Sequence, residues 1–230
     1  MSYDDISTST DQSGAALRPR GEHRWPVLGM LAVAAVLPIF LPERLTLGPR
    51  WLLPTIEGAL LVAVAVTDPG RIDQRSRQVR ALRLTLIVVL AGGTAFATGH
   101  LISELIRGGG ITNSAGLLLR AGGLVWLELV IVFAFLYWEL DAGGPGQRAH
   151  ERIRFPDLAF PQHLNPQVAR SGWRPVFYDY LYLGFTNSTA FSPTDVMPLA
   201  HWAKLTMAVQ SLVSLLILGL VVARAVNILN

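Results

Sequence analysis

Asp179-Tyr-Leu-Tyr-Leu-Gly-Phe-Thr-Asn-Ser-Thr-Ala-Phe-Ser-Pro-Thr-Asp-Val-Met-Pro198, followed by the apolar run Leu199–Leu229, is the stretch that decides the fold of this chain. The final run is about thirty residues long, well beyond the ~20 apolar residues that carry a helix across a hydrocarbon core, and reads as transmembrane. Val176–Phe191 is apolar but too short to span comfortably. Between the two, Ser192-Pro193-Thr194-Asp195 reads as a helix start, with Ser192 as N-cap, Pro193 at N1 and Asp195 at N3 closing a capping box. A sharper reading makes Thr186, Asn187, Ser188, Thr189, Ser192 and Asp195 the polar lining of a narrow conduit or small-molecule site. Thr186, Ser188 and Thr189 do not all share one helical face, so at best two of them line anything. Alternatively their hydroxyls bond to helix carbonyls and cement packing against neighbouring helices. The last helix carries Gln210, Ser211 and Ser214, with Gln210 and Ser214 on one stripe at i, i+4.

In register and without a gap, this stretch resembles the pore helix, filter and inner helix of two-span potassium channels. Asp179 and Asp195, Pro198 opening the last helix, and Val222-Ala223-Arg224 near its end carry the resemblance, which covers about a fifth of the chain. It implies a tetramer whose inner helices present Gln210 and Ser214 to a cavity, whereas the plain reading of these side chains is interhelical hydrogen bonding. The filter departs from the family. Where channels carry Thr-Val-Gly-Tyr-Gly, this chain has Ala190-Phe191-Ser192-Pro193-Thr194. A column of backbone carbonyls aimed at an ion needs glycine where φ is positive. Ser192 and Thr194 occupy those positions, and Thr194 is β-branched. Pro193 fixes φ, removes an amide and pushes Ser192 towards extended geometry. All three changes oppose a potassium-selective filter. The whole chain is also similar to uncharacterised bacterial integral membrane proteins that share the Phe185–Asp195 signature, a similarity that implies location and no activity.

Composition agrees with a membrane protein. The 230 residues are 51% hydrophobic and only 15% charged, which belongs to an all-α, polytopic membrane helix bundle rather than a soluble domain. Cysteine is absent, so disulfides, thiolate metal sites and cysteine nucleophiles are excluded. The basic pI near 9.7 reflects arginines that orient the chain in the bilayer, not nucleic-acid binding. Residues 1–25 read as a disordered cytoplasmic tail without a cleavage pattern. Residues 26–140 form a four-span membrane domain with apolar runs at Pro26–Leu41, Trp51–Thr67, Ala81–Ile106 and Ala115–Leu140. Residues 141–175 make an arginine-rich loop, and 176–230 the channel-pore-like hairpin. Gly108-Gly109-Gly110 is a tight connector without the context of a phosphate loop.

Arginine asymmetry sets orientation. The tail, the Asp68–Arg83 region and the long loop hold thirteen arginines, against three in the intervening links. This predicts a multi-pass cell-membrane protein with a cytoplasmic N-terminus and long loop, if all four runs span. In channels the pore segment dips in from outside, so the two expectations conflict. Two resolutions exist. Val176–Phe191 crosses as a short, tilted fifth span with both chain ends inside, which is the preferred reading, or it re-enters and one earlier run does not cross.

Glu57, His100, Glu104, Arg120 and Glu128 fall within apolar runs, where a charge costs about 2.5–3.5 kcal/mol on insertion scales and calls for a partner or water. Counting from helix ends at 1.5 Å per residue puts Glu57, His100 and Arg120 at ~8–9 Å depth, with Glu128 nearer mid-membrane. Arg120 pairing with Glu57 or Glu104, with His100 hydrogen-bonded nearby, is one reading; a protonatable set that binds a cation or relays protons is the other. No metal-ligand spacing and no hydrolase, zinc-protease or phosphate-loop motif is present, so neither an enzyme nor a cofactor is expected. The expected partners are the lipid bilayer and further copies of the chain, a tetramer if channel-like. Two functions compete: passage of ions or small solutes with little potassium selectivity, and a non-conducting scaffold or sensor.

Overall fold

The computed structural model describes residues 21–67, 71–72, 76–108, 110–150, 156–189 and 195–229. Its elements are β1 (Glu22–His23), α1 (Arg24–Val36), α2 (Leu52–Thr67), β2 (Arg71–Ile72), α3 (Arg77–Arg107), α4 (Ala115–Leu140), α5 (Pro145–His150), β3 (Leu158–Ala159), α6 (Pro161–Leu164), α7 (Phe177–Thr189), β4 (Met197–Pro198) and α8 (His201–Leu229). The fold is all-α apart from two antiparallel ribbons of two residues per strand, β1 with β2 and β3 with β4.

Three helices, Arg77–Arg107, Ala115–Gly143 and His201–Ile228, are long and apolar enough to cross a membrane. α1 and α2 are shorter, at 13 and 16 residues. Their shortness has a local cause. Pro38 ends α1 in a 3-10 turn over Leu37–Phe40, and a second 3-10 turn follows at Glu43–Leu45. α2 therefore begins below the end of its neighbour, with Leu53 packed on Gly93 of α3. The expected tail also ends early: Glu22 and His23 pair with Ile72 and Arg71, and α1 starts at Arg24. Residues 1–20 lie outside the described residues.

α4 is the central helix, packed against α3, α7 and α8. Two glycines let the backbones close up, as small residues do between membrane helices. A Cβ on Gly184 of α7 would lie 2.9 Å from the Val130 carbonyl of α4, and one on Gly122 of α4 would lie 2.7 Å from Val221 of α8. Near the arginine-rich end the core is aromatic, with Phe135 stacked on Phe177 at 4.6 Å and Tyr180 edge-on to Phe160 at 5.3 Å. Towards the far end it is aliphatic, built from Leu101, Leu118, Val125 and Ile217.

The described ends of α7 and α8 show how these two helices run relative to one another. α7 starts beside Glu22, whose carboxylate accepts the Phe177 amide at 2.8 Å. By Met197 the chain is back at the same end, paired with β3, and the Leu199 amide donates to the Asp157 carbonyl at 2.8 Å. α7 and α8 run parallel, since Gly184 meets Gln210 and, one turn further along both helices, Ser188 meets Ser214. The start of α7 and the Met197–Pro198 strand thus lie at one end of the bundle, and α8 ends opposite the end where α1 begins; Ala190–Thr194 between them lie outside the described residues. The helix start read at Ser192–Asp195 is displaced. Asp195 and Val196 form a bend, Met197–Pro198 extend along β3, and α8 begins at His201. The ribbon and the Asp157 contacts outweigh the local capping signal.

Candidate functional site

α7 is 13 residues long, ~20 Å of helix, and stops halfway along the far longer α4 and α8. A helix that ends inside a bundle leaves its last carbonyls without intrahelical donors, a cost that no lipid relieves. α8 supplies the missing donors. Ser211 Oγ donates to the Asn187 carbonyl at 3.0 Å and Ser214 Oγ to the Ser188 carbonyl at 2.6 Å. Gln210 Nε2 donates to the Gly184 carbonyl and to Ser188 Oγ, both at 2.8 Å. The amide oxygen of Gln210 accepts from Tyr137 of α4 at 2.6 Å and from Asn187 Nδ2 at 2.8 Å, and Asn187 Nδ2 also reaches the Met207 carbonyl. Trp126, too deep for an interfacial anchor, donates to Ser214 Oγ at 2.8 Å. The stripe at Gln210, Ser211 and Ser214 thus caps α7 and ties it to α4.

The sequence candidates separate accordingly. Asn187, Ser188, Gln210 and Ser214 come together in this network, and Gln210 and Ser214 are 0% exposed. Thr186 and Thr189 instead bond back to the Tyr182 and Phe185 carbonyls of their own helix. Asp195 is exposed at the arginine-rich end. Ala190, Phe191, Ser192, Pro193 and Thr194, the filter positions, lie outside the described residues.

The five intramembrane groups divide into two sets. Glu57 and Glu128 are 0% and 1% exposed and lie close enough to interact electrostatically. Glu57 Oε1 faces Gly93 at the midpoint of α3, and Glu128, at the midpoint of α4, faces Thr94. Among the described residues neither oxygen of Glu57 has a hydrogen-bond partner, nor does Oε2 of Glu128. The late start of α2 places Glu57 this deep, so it does not share the level of His100 and Arg120. Those two sit towards the far end, both exposed, with the His100 ring tilted against Phe96 at 4.2 Å. The expected Arg120 pairing with Glu57 or Glu104 does not form; Glu104 faces Arg44 at 3.9 Å.

A third group of buried charges, absent from the sequence reading, gathers at the arginine-rich end. Arg148 is buried, donates to the Trp138 and Asp141 carbonyls at 2.8 and 2.7 Å, and lies 3.8 Å from Glu22. Asp141 accepts from the Tyr180 hydroxyl and the Leu158 amide. Glu139 is paired with Arg83 at 3.0 Å and with Arg80 at 3.6 Å. Burial pushes the Glu22 carboxyl above the usual carboxylate range, although Arg148, the Phe177 amide and Trp138 Nε1 pull the other way. This cluster fastens β1, α4, α5 and α7 together. An arginine in a proline-rich loop gave no signal that it would be buried; Glu139 beside Asp141 at the close of an apolar run was the one available hint.

Among the described residues no group of three or more His, Asp or Glu side chains is placed to hold a metal. No family model, no curated protein and no solved structure matches the chain.

Proposed function

We propose that this chain is one protomer of a multi-pass protein of the cell membrane, related to two-span potassium channels, whose re-entrant hairpin passes ions or small solutes with little potassium selectivity. The observation that carries this reading is the path of the hairpin. A short helix enters the bundle and stops midway, and the chain returns to its entry end before a long helix runs parallel to the first. That is the arrangement the channel resemblance leads one to expect. The exposed outer faces of α7 (Tyr178, Tyr182, Phe185) and α8 (Leu205, Leu212, Val222) give copies of the chain apolar surface on which to associate. With the arginine-rich end cytoplasmic by the positive-inside rule, the hairpin dips from the cytoplasmic face, opposite to its direction in channels. Purified protein in liposomes tests the proposal: a flux of potassium and sodium at comparable rates is expected. Silence towards every cation and small solute at both polarities of voltage sinks it.

A second reading, a non-conducting scaffold or sensor, is favoured by one specific observation. Gln210 and Ser214, the side chains a channel would turn towards its cavity, are fully buried and committed to hydrogen bonds within the protomer. The same liposome experiment separates the two.

A further inference from the structure

We propose that the cleft at the far end, between the Leu37–Leu45 turns and the start of α4, binds the phosphate headgroup of an anionic phospholipid. The cleft encloses about 640 Å³ and has two kinds of wall. Arg44, Arg50 and Arg120 supply guanidinium groups, while Ile39, Phe40 and Leu117 supply apolar surface and remain exposed. Planar guanidinium forks match phosphate oxygens in bidentate fashion.

The arginines are under-compensated. Arg50 lies 3.4 Å from Glu43 with both side chains largely exposed, and Arg44 lies 3.9 Å from Glu104. Ion pairs this exposed are weak and readily reorganised around an incoming anion. Arg120 has no ion pair among the described residues, so the two carboxylates leave one positive charge uncompensated. Gly110 lies on the floor of the cleft beside the Arg44 guanidinium.

Depth and the apolar wall choose the source of the phosphate. Leu117 and Arg120 lie in the first two turns of α4, ~3–8 Å from its start, the level of headgroups when α3 and α4 span. A soluble phosphate would use the guanidiniums alone. Ile39, Phe40 and Leu117 beside them are what an acyl chain would cover, and long arginine stems suit this boundary.

The test uses the full-length protein in phosphatidylcholine nanodiscs, titrated with phosphatidylglycerol and read by native mass spectrometry. Wild-type protein is expected to retain phosphatidylglycerol in preference to phosphatidylcholine, and millimolar inorganic phosphate is expected not to displace it. The R44Q/R120Q variant should lose at least about tenfold in apparent affinity, as expected for removing charge-assisted contacts. Glu43→Gln, which keeps all three arginines and removes a competing carboxylate, should bind severalfold more tightly. Equal retention of the two lipids overturns the proposal, as does an unchanged affinity in R44Q/R120Q. Displacement by inorganic phosphate alone overturns it in favour of a soluble-anion site. Should R44Q/R120Q fail to fold, Glu43→Gln decides, and no gain in affinity there counts as failure.

Discussion

Gly184 lies where α7 touches the backbone of α4, and a main-chain carbonyl is not a group that can step aside. Gly184→Ala would place its Cβ 2.9 Å from the Val130 oxygen, so the helices must part. We expect a loss of about 1–3 kcal/mol, read as a fall in the thermal midpoint in detergent, with Gly123→Ala as a neutral control because nothing lies within 4 Å of that position. His163 offers a pH-dependent counterpart. Its Nδ1 accepts the Phe160 amide at 3.2 Å, and its ring packs edge-on to Trp173 at 5.1 Å. Burial pulls its pKa below the ordinary 6.5, although Asp141 and Asp179 oppose the shift. The folded state therefore prefers the neutral ring. This contribution is complete above the ordinary value and is lost as pH falls through the lowered one. Hydrogen exchange at the Phe160 amide should accelerate relative to the intrinsic rate as pH falls below the ordinary histidine value and through the lowered one, and His163→Gln should remove that dependence. Neither residue announced itself in the sequence. Gly184 looked like any helical glycine, and no spacing pattern marked His163 as the acceptor of the Phe160 amide.

Among the elements, α7 depends most on its surroundings, because its termination is completed by α8. Gln210→Leu would strand the Tyr137 and Ser188 hydroxyls at once and take from the Asn187 amide one of its two acceptors. Each unmet buried group costs about 1–3 kcal/mol, moderated in membranes because the unfolded chain also finds partners. The expected result is faster exchange of the amides of 184–189 while the central amides of α3 stay protected; uniform protection would mean that α7 is held by packing alone. Element limits were legible where the local signal was unopposed. The apolar run Ala115–Leu140 coincides with α4, bounded by Ser114 and by the turn after Asp141. The start of α8 was not legible, because Ser192-Pro193-Thr194-Asp195 imitates a capping box and only the tertiary pairing of β3 with β4 cancels it. The placing of Glu57 within electrostatic reach of Glu128 was hidden for a similar reason. Depth counted from helix ends fails once α2 starts lower than its neighbours.

For the whole molecule, the parallel course of α7 and α8 puts the chain's two described ends on opposite faces of the bundle. The cysteine-free sequence makes this easy to examine, since single cysteines at Ser171 and Asn227 will be the only thiols. In sealed vesicles a membrane-impermeant maleimide should label one and spare the other; labelling of both from one side would return the spanning topology. The channel resemblance and the arginine asymmetry had pulled the sequence reading in opposite directions. Under the proposed function the two are reconciled by a hairpin that enters and leaves at the basic face. The capping of α7 by Ser211 and Ser214 has a last consequence, for biogenesis. The ribosome releases the short helix well before the residues that complete its carboxyl end. A nascent chain halted ahead of position 211 would hold a stub with nowhere to settle in the bilayer, so the insertion machinery has to shelter it until its successor emerges.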